Sequence, residues 1–148
     1  MKIVSINENK EVEKRISITP EMAKKYISNG FKVIVQENYG VHLGFLDNEY
    51  REVGVEIKTD EKEIIDEADI IVQLGLLPDD KLEYLKENQI FIGALNPYIN
   101  KEKIEKLIKK KISNFSLELL PRITRAQSMD ILSSQANLAG YKAVIESF

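Results

Sequence analysis

The sequence has no cysteine, no tryptophan and a single histidine among its 148 residues. The absence of cysteine excludes disulfides, thiolate zinc sites and cysteine nucleophiles. With one histidine and no G-x-S-x-G motif, nothing supports Ser-His-Asp catalysis. The seven glycines form no G-x-G pair, so the GxGxxG dinucleotide fingerprint and the Walker A loop are both missing.

Charge and hydropathy exclude further classes of protein. The 21 basic and 24 acidic residues give a net charge of −3, which argues against a basic nucleic-acid binder. The longest apolar runs, such as 70–72, are far shorter than the ~20 residues of a membrane-spanning helix. The first residues lack the apolar stretch of a secretory signal, so cytosol is the default location. No His, Asp and Glu cluster has the spacing of metal ligands.

Short β-branched runs alternate with helical stretches along the chain, which has the length of one domain. Repeated strand–helix units of this kind predict an α/β fold: a doubly wound, mostly parallel sheet, Rossmann- or flavodoxin-like, with helices on both faces. Ligands of such folds bind at the carboxyl ends of the strands. The predicted strands are Lys2–Ile6, Lys32–Gln36, Val55–Ile57, Asp69–Gln73, Gln89–Ile92 and Ile112–Leu117.

Capping residues mark the predicted helices between these strands. Thr19 and Pro20 have the order of an N-cap followed by a proline at N1, and Gly30 stands where a terminating glycine belongs. Further helices are predicted to begin near Asp47, Asp60 and Pro78, at Lys101 after an Asn100 cap, and in a long C-terminal segment.

The densest polar segment, residues 121–137, follows the last predicted strand and should emerge at the carboxyl edge of the sheet. Two starts are possible for the helix that follows. Thr124 and Gln127 form a T-x-x-Q capping box, whereas in the alternative Ser128 is the N-cap and 121–127 is a loop.

Helical spacing separates the residues of this helix into two faces. One face is a small-residue stripe that permits close packing, and the other is polar, preceded by Arg122 and Gln127. A guanidinium, an amide, a carboxylate and a hydroxyl together would suit a primary carboxamide, although a capped helix with a solvated polar face is the commoner interpretation of this spacing. The stripe contains Leu132, Ala136, Ala139 and Ala143, and the polar face contains Asp130, Ser133 and Asn137.

Other candidate residues carry weaker signals. His42, alone in a glycine-bearing loop, has the pattern of a surface residue more than that of a catalytic base. Arg15 precedes a predicted helix and could hold an anion there, but a plain surface charge is the commoner outcome. The basic run 109–111 and the acidic residues of 61–67 resemble solvated helix faces.

Residues 121–144 (PRITRAQSMDILSSQANLAGYKAV) resemble the signature of the alanine dehydrogenase/proton-translocating transhydrogenase family, and more narrowly domain I of the transhydrogenase alpha subunit. The opening 13–20 (EKRISITP) is similar to the family's E-x-R-V-A-x-T-P start. The resemblance implies a part of the NAD(H)-binding component of an enzyme that transfers hydride directly between NADH and NADP⁺. It also implies coupling of that transfer to proton translocation by other subunits or domains.

The resemblance assigns a role to each matching position. Arg122, Asp130 and Ser133 would contact the nicotinamide carboxamide or neighbouring groups of NAD(H). Gln127 would lie between the two nicotinamides and, with Asp130, form the catalytic pair that aligns NADH with the NADP⁺ of a partner domain. Direct hydride transfer needs distance and orientation more than an acid–base residue.

The same resemblance implies the partners. They are the remainder of the alpha subunit, the NADP-binding domain of the beta subunit, and a second copy in a homodimer through domain I. No nucleic acid and no direct membrane insertion are implied. The protein would lie in the cytoplasm, peripheral to the inner membrane through its partner subunits.

Two departures from the family pattern refine the interpretation. Alanine dehydrogenases handle pyruvate with an arginine, a lysine and a histidine; here Arg15 persists, the lysine position is occupied by Gln73, and 91–96 contains no histidine. We therefore favour a transhydrogenase over an alanine dehydrogenase-type amino-acid dehydrogenase, which remains an alternative.

The second departure concerns the NAD-binding Rossmann domain, which in the family follows the Ala139–Ala143 helix. The chain ends at Phe148, so 1–148 is expected to be the N-terminal subdomain of domain I, ending in an interdomain helix over about 127–148. Such a fragment is expected to bind NAD(H) weakly or not at all and to be inactive alone. A non-catalytic flavodoxin-like interaction module is the other alternative.

Overall fold

The computed structural model describes residues 1–147, within which six strands form one parallel sheet in the order β3-β2-β1-β4-β5-β6. Every neighbouring pair is parallel, and the register places Ile3 beside Ile70 and Val4 beside Ile71 at the centre of the sheet. The predicted α/β class and parallel sheet are confirmed. The strands are β1 (Lys2–Ser5), β2 (Lys32–Gln36), β3 (Glu56–Lys58), β4 (Ile70–Val72), β5 (Ile90–Gly93) and β6 (Ser113–Ser116).

The helices begin where capping side chains meet free backbone N–H groups. Thr19 accepts a hydrogen bond from the Met22 amide at 3.3 Å, and Asp60 accepts one from the Glu63 amide at 3.0 Å, as predicted. The helices are α1 (Pro20–Ser28), α2 (Asp47–Glu52), α3 (Glu61–Asp66), α4 (Asp79–Leu82), α5 (Lys101–Lys109) and α6 (Ile131–Glu146), with 3₁₀ turns at Val41–Leu43, Leu117–Leu119 and Thr124–Met129.

The N-cap position predicted for α5 is confirmed, because Asn100 directly precedes the helix as its N-cap residue. The Asn100 side chain, however, makes no capping hydrogen bond. Instead its Nδ2 donates to the Leu95 carbonyl at 2.9 Å, which fixes the loop after β5. The Asn100 side chain therefore stabilises the loop after β5, and it does not cap the backbone N–H groups in the first turn of α5.

The sheet carries a hydrophobic core on each face, which explains the nearly continuous apolar runs of its central strands. One core packs Ile71 and Phe91 against Ile64 of α3 and Leu107 of α5. The other packs Ile3 and Val33 against Ala23 of α1 and Tyr50 of α2. Because α1, which follows β1, and α4, which follows β4, cover opposite faces of the sheet, the loops after these two strands diverge and leave a crevice at their carboxyl ends.

Helix α6 differs from the other helices because none of its 16 residues is buried among residues 1–147. Four of its large apolar side chains, Leu138, Tyr141, Val144 and Ile145, are more than half exposed. The predicted small-residue stripe is correspondingly uncovered in the described part of the chain.

Within the described range, no helix combines the length and the apolar character required to cross a membrane. The same residues contain no group of three or more His, Cys, Asp or Glu side chains arranged to hold a metal ion.

An ion-pair cluster joins β3, α3 and the amino-terminal end of β1. Glu67 accepts hydrogen bonds from Lys2 Nζ at 2.6 Å and from Lys58 Nζ at 2.7 Å, and Lys58 also pairs with Glu63 at 2.6 Å. The hydrogen bonds from Lys2 and Lys58 lower the pKa of Glu67 to about 2, and the bond from Lys2 has the larger effect.

The cluster predicts a loss of stability in acid. A carboxyl whose pKa is lowered on folding stabilises the fold above its unfolded pKa of 4.5, and this contribution is lost as the pH falls toward about 2. We expect Glu67→Gln to lower the melting temperature at neutral pH, with the deficit shrinking across that window. Thermal melts of both proteins over this pH range test it; a deficit that does not change with pH would contradict it.

Candidate functional site

A cleft of about 530 Å³ opens at the carboxyl ends of β1 and β4, where the two chain directions diverge. One wall is the loop 7–15 after β1, and the other is the loop 73–78 after β4. This is the place at which a doubly wound sheet is expected to bind a ligand.

Gln73 joins the two walls at the floor of the cleft. It is 2% exposed, and both polar atoms of its amide are satisfied. Its Oε1 accepts from the Ile6 amide at 2.9 Å and from Ser5 Oγ at 2.7 Å, while its Nε2 donates to the Ile6 carbonyl and to Glu8 Oε1, each at 3.2 Å. Gln73 therefore fixes the chain leaving β1 against the end of β4.

A second set of buried hydroxyls continues this network toward α1. The Tyr39 hydroxyl lies 2.7 Å from Ser5 Oγ and 2.8 Å from Ser17 Oγ, and it accepts from the Ser17 amide at 3.0 Å. Ser17 Oγ donates to the Val72 carbonyl at 2.9 Å. Burial raises the pKa of Tyr39 above its ordinary value, so the phenol stays protonated. The segment that carries Arg15 is thus anchored to the sheet.

The charged groups of the cleft are held by protein partners. Burial raises the pKa of Glu8, against the opposing effect of hydrogen bonds from the Leu74 and Gly75 amides. The Arg15 guanidinium donates to Glu13 through Nε at 2.9 Å and Nη2 at 2.6 Å, and this pairing lowers the pKa of Glu13. The structure therefore places Arg15 in the wall of the cleft, paired with Glu13 through two hydrogen bonds. The sequence had favoured the interpretation of Arg15 as a plain surface charge.

The predicted site segment is arranged differently from either predicted helix start. Residues 124–129 form a 3₁₀ turn, and the N-cap of α6 is Asp130, not Thr124 or Ser128. The reason is local: Asp130 Oδ1 accepts from the Ser133 amide at 2.9 Å, and Asp130 Oδ2 accepts from Ser133 Oγ at 2.6 Å. The interdomain helix predicted from about 127 thus begins at Ile131.

The structure brings two of the four predicted cofactor residues into direct contact. The hydrogen bonds from Ser133 lower the pKa of Asp130, and the charge of Arg122 adds to this effect. Asp130 is consequently an anion that is hydrogen-bonded to the Ser133 hydroxyl. Gln127 lies in the 3₁₀ turn, and its backbone carbonyl accepts from the Asp130 amide at 3.3 Å. The side chains of Arg122, Gln127 and Ser133 are exposed, and none of the four residues lines the cleft.

A second cavity of about 290 Å³ lies between α6 and the end of the sheet. The residues of α6 that line it are Ile131, Leu132 and Gln135. They lie on a different face of the helix from Asp130 and Ser133. Gln135 was not singled out in the sequence, although its i, i+4 and i, i+3 spacing from Ile131 and Leu132 placed it on their face. The remaining lining residues are Arg15, Gln73, Leu74, Ala94 and Leu117.

His42 is exposed, as predicted, and lies outside the cleft. Its Nε2 is 2.7 Å from the Lys14 carbonyl, so it fastens the loop after β1 to the turn after β2.

Comparisons with known proteins extend this description. Residues 5–139 match the family model described as alanine dehydrogenase/PNT, N-terminal domain. The chain is 47% identical over 99% of its length to an NAD(P) transhydrogenase subunit alpha polypeptide of Rickettsia prowazekii, of which it covers 39%. It is 30% identical over 98% of its length to alanine dehydrogenase 1 of Staphylococcus aureus, of which it covers 38%.

A solved structure agrees with these sequence matches. The transhydrogenase from Sinorhizobium meliloti superposes with a TM-score of 0.89 at 38% identity, over 97% of this chain and 43% of that one. The chain thus spans about two fifths of the length of the curated relatives it matches.

Proposed function

The chain belongs to the alanine dehydrogenase/PNT N-terminal domain family, and from that membership we propose that it is the N-terminal subdomain of the NAD(H)-binding component of a proton-translocating transhydrogenase. The observation that carries the proposal is the 47% identity to a transhydrogenase alpha subunit over 99% of the chain, against 30% for an alanine dehydrogenase. Hydride transfer between NADH and NADP⁺ is chemistry that the two cofactors supply.

The residues at the start of α6 suit a nicotinamide nucleotide. Asp130 is an anion whose oxygens accept hydrogen bonds from hydroxyl and amide groups, and Arg122, eight positions earlier in the chain, offers exposed N–H donors. Gln127, exposed at the preceding turn, has both a donor and an acceptor with which to align two neighbouring rings. Their task is to orient the cofactors, and this requires no acid–base group.

Further aspects of the proposal concern the assembly. We propose that the pyrophosphate of NAD(H) is held outside residues 1–148, because the chain has no G-x-G turn. The partners are then the remainder of the alpha subunit, an NADP-binding domain of a beta subunit and a second copy of domain I. Through these partners the protein lies at the cytoplasmic side of the inner membrane, and there hydride transfer is coupled to proton translocation.

An alanine dehydrogenase is the second candidate because one such enzyme matches the chain at 30% identity. Against it, Gln73 occupies the position of the family lysine, and Lys81, which lines the cleft, is paired with Glu61 at 2.8 Å. Alanine-dependent reduction of NAD⁺ by the assembled protein distinguishes the two candidates, and we expect none.

Asp130→Asn tests the role of the start of α6. Asparagine is also a good N-cap, so α6 should persist while the negative charge is lost. Because hydrogen bonds to a charged group are stronger than those to a neutral one, we expect hydride transfer between NADH and an NADP⁺ analogue to slow roughly tenfold or more in the assembled enzyme. Gln127→Asn should slow it as well. Rates that are unchanged in both variants would remove the roles proposed for these residues.

A further inference from the structure

Helix α1 ends in a turn that contains the only Asn-Gly pair of the sequence. Asn29 is the C-cap residue, and Gly30 follows it with a φ of 87°. The Gly30 amide donates to the Ile27 carbonyl at 2.9 Å, and the Phe31 amide donates to the Tyr26 carbonyl at 3.2 Å. These two bonds define a Schellman motif, whose left-handed position favours glycine because glycine has no Cβ.

An asparagine that is followed by glycine can react with its own backbone. The Gly30 nitrogen, once it has lost its proton to solvent, attacks Cγ of Asn29. A bond forms between that nitrogen and Cγ, the bond from Cγ to Nδ2 breaks, and ammonia leaves to give a cyclic imide. Water then adds to either carbonyl of the imide and opens the ring to aspartate or isoaspartate. Glycine favours this reaction because no Cβ crowds the attacking nitrogen.

The Schellman motif opposes the reaction in the folded chain. The N–H of Gly30 is already donated to the Ile27 carbonyl, so the nitrogen is held in its protonated form. The side chain of Asn29 is held against the helix, because its Nδ2 donates to the Lys25 carbonyl at 2.8 Å. The ψ angle of Asn29 is 8°, and ring closure requires a large rotation about that bond. The last turn of α1 must therefore open before the imide can form.

We propose that Asn29 is a site of spontaneous deamidation, and that opening of the last turn of α1 sets the rate. Asn29 and Gly30 are both exposed, so the water that the reaction consumes has access to them. Helix ends open more readily than helix bodies, which makes the reaction slow in the folded chain without preventing it.

The products of the reaction weaken α1. A carboxylate at position 29 lies at the negative end of the helix dipole, and it cannot donate to the Lys25 carbonyl as the amide does. Isoaspartate also adds a methylene group to the main chain, so the hydrogen bonds of the Schellman motif no longer fit. The damage reaches the core, because α1 packs Ala23 against the sheet.

Incubation of the full chain at mildly alkaline pH, beside a peptide of residues 24–34, tests the site and its protection. Peptide mapping by mass spectrometry measures the conversion of amide to acid. We expect conversion at Asn29, roughly tenfold slower in the protein than in the peptide. The exposed residues Asn48 and Asn88, which precede Glu49 and Gln89, are internal controls and should react far more slowly. Equal rates in protein and peptide, no conversion at Asn29 in the protein, or equal conversion at the control residues would each overturn the proposal.

Asn29→Gln tests the effect on α1, with Asn48→Gln as the matched control. Complete deamidation should lower the melting temperature of the wild-type protein by roughly 2–4 °C. Incubation should not lower it in Asn29→Gln, and Asn48→Gln should lose as much as the wild type. Asn29→Asp should show a loss before any incubation. A loss on incubation that persists in Asn29→Gln would show that the change at position 29 is not its cause.

Discussion

Replacing Gln73 with leucine is expected to lower the free energy of unfolding by about 3 kcal/mol. Leucine has a similar size, so the loss comes from hydrogen bonds. The amide and carbonyl of Ile6, which is 1% exposed, both lose the partner that Gln73 provides. Leaving a buried polar group unsatisfied costs about 1–3 kcal/mol each. Urea unfolding followed by circular dichroism measures the change.

Gln127→Leu is the matched control, because the same substitution at an exposed glutamine should change stability by less than about 0.5 kcal/mol. A similarly small change for Gln73→Leu would show that the junction between β1 and β4 does not depend on this amide.

The role of Gln73 illustrates what the sequence could not predict. Its partners Ser5, Ile6 and Glu8 lie 65 to 68 positions earlier in the chain, and only the pairing of β1 with β4 brings them together. The sequence indicated a substitution at a family lysine position, but a hydrogen-bond network that spans two strands leaves no local pattern. The strands themselves were predictable, because β-branched runs bounded by caps are local signals.

In the candidate site, too, only contacts between residues close together in the sequence were predictable. Asp130 and Ser133 are three positions apart, and this spacing placed them together on one face of a helix. The N-cap was predicted at Thr124 or Ser128, whereas the structure has it at Asp130. All three residue types are good N-caps, and only the observed 3₁₀ turn over 124–129 decides among them. The cavity that joins Arg15 to Gln135 depends on how α6 leaves the sheet, and nothing in the sequence of either segment specifies that contact.

Gly93→Ala is expected to destabilise the protein by about 1–3 kcal/mol, although it adds a single methyl group. A Cβ at Gly93 would lie 2.5 Å from the backbone oxygen of Gln73. That oxygen cannot move away easily, because backbone hydrogen bonds on both sides fix its position. The backbone N–H of Gln73 donates to the Ile92 carbonyl, and that of Ala94 donates to the Leu74 carbonyl, each at 3.0 Å. The ends of β4 and β5 would have to separate. Urea unfolding of the variant measures the loss.

Gly140→Ala provides a control of opposite sign. Gly140 lies within α6, and apart from the helix's own backbone and the two neighbouring residues no atom of the described chain lies within 4 Å of the added Cβ, so alanine should stabilise the helix by about 0.5–1 kcal/mol. A loss at both positions would mean that the added methyl acts through something other than the close approach of β4 and β5.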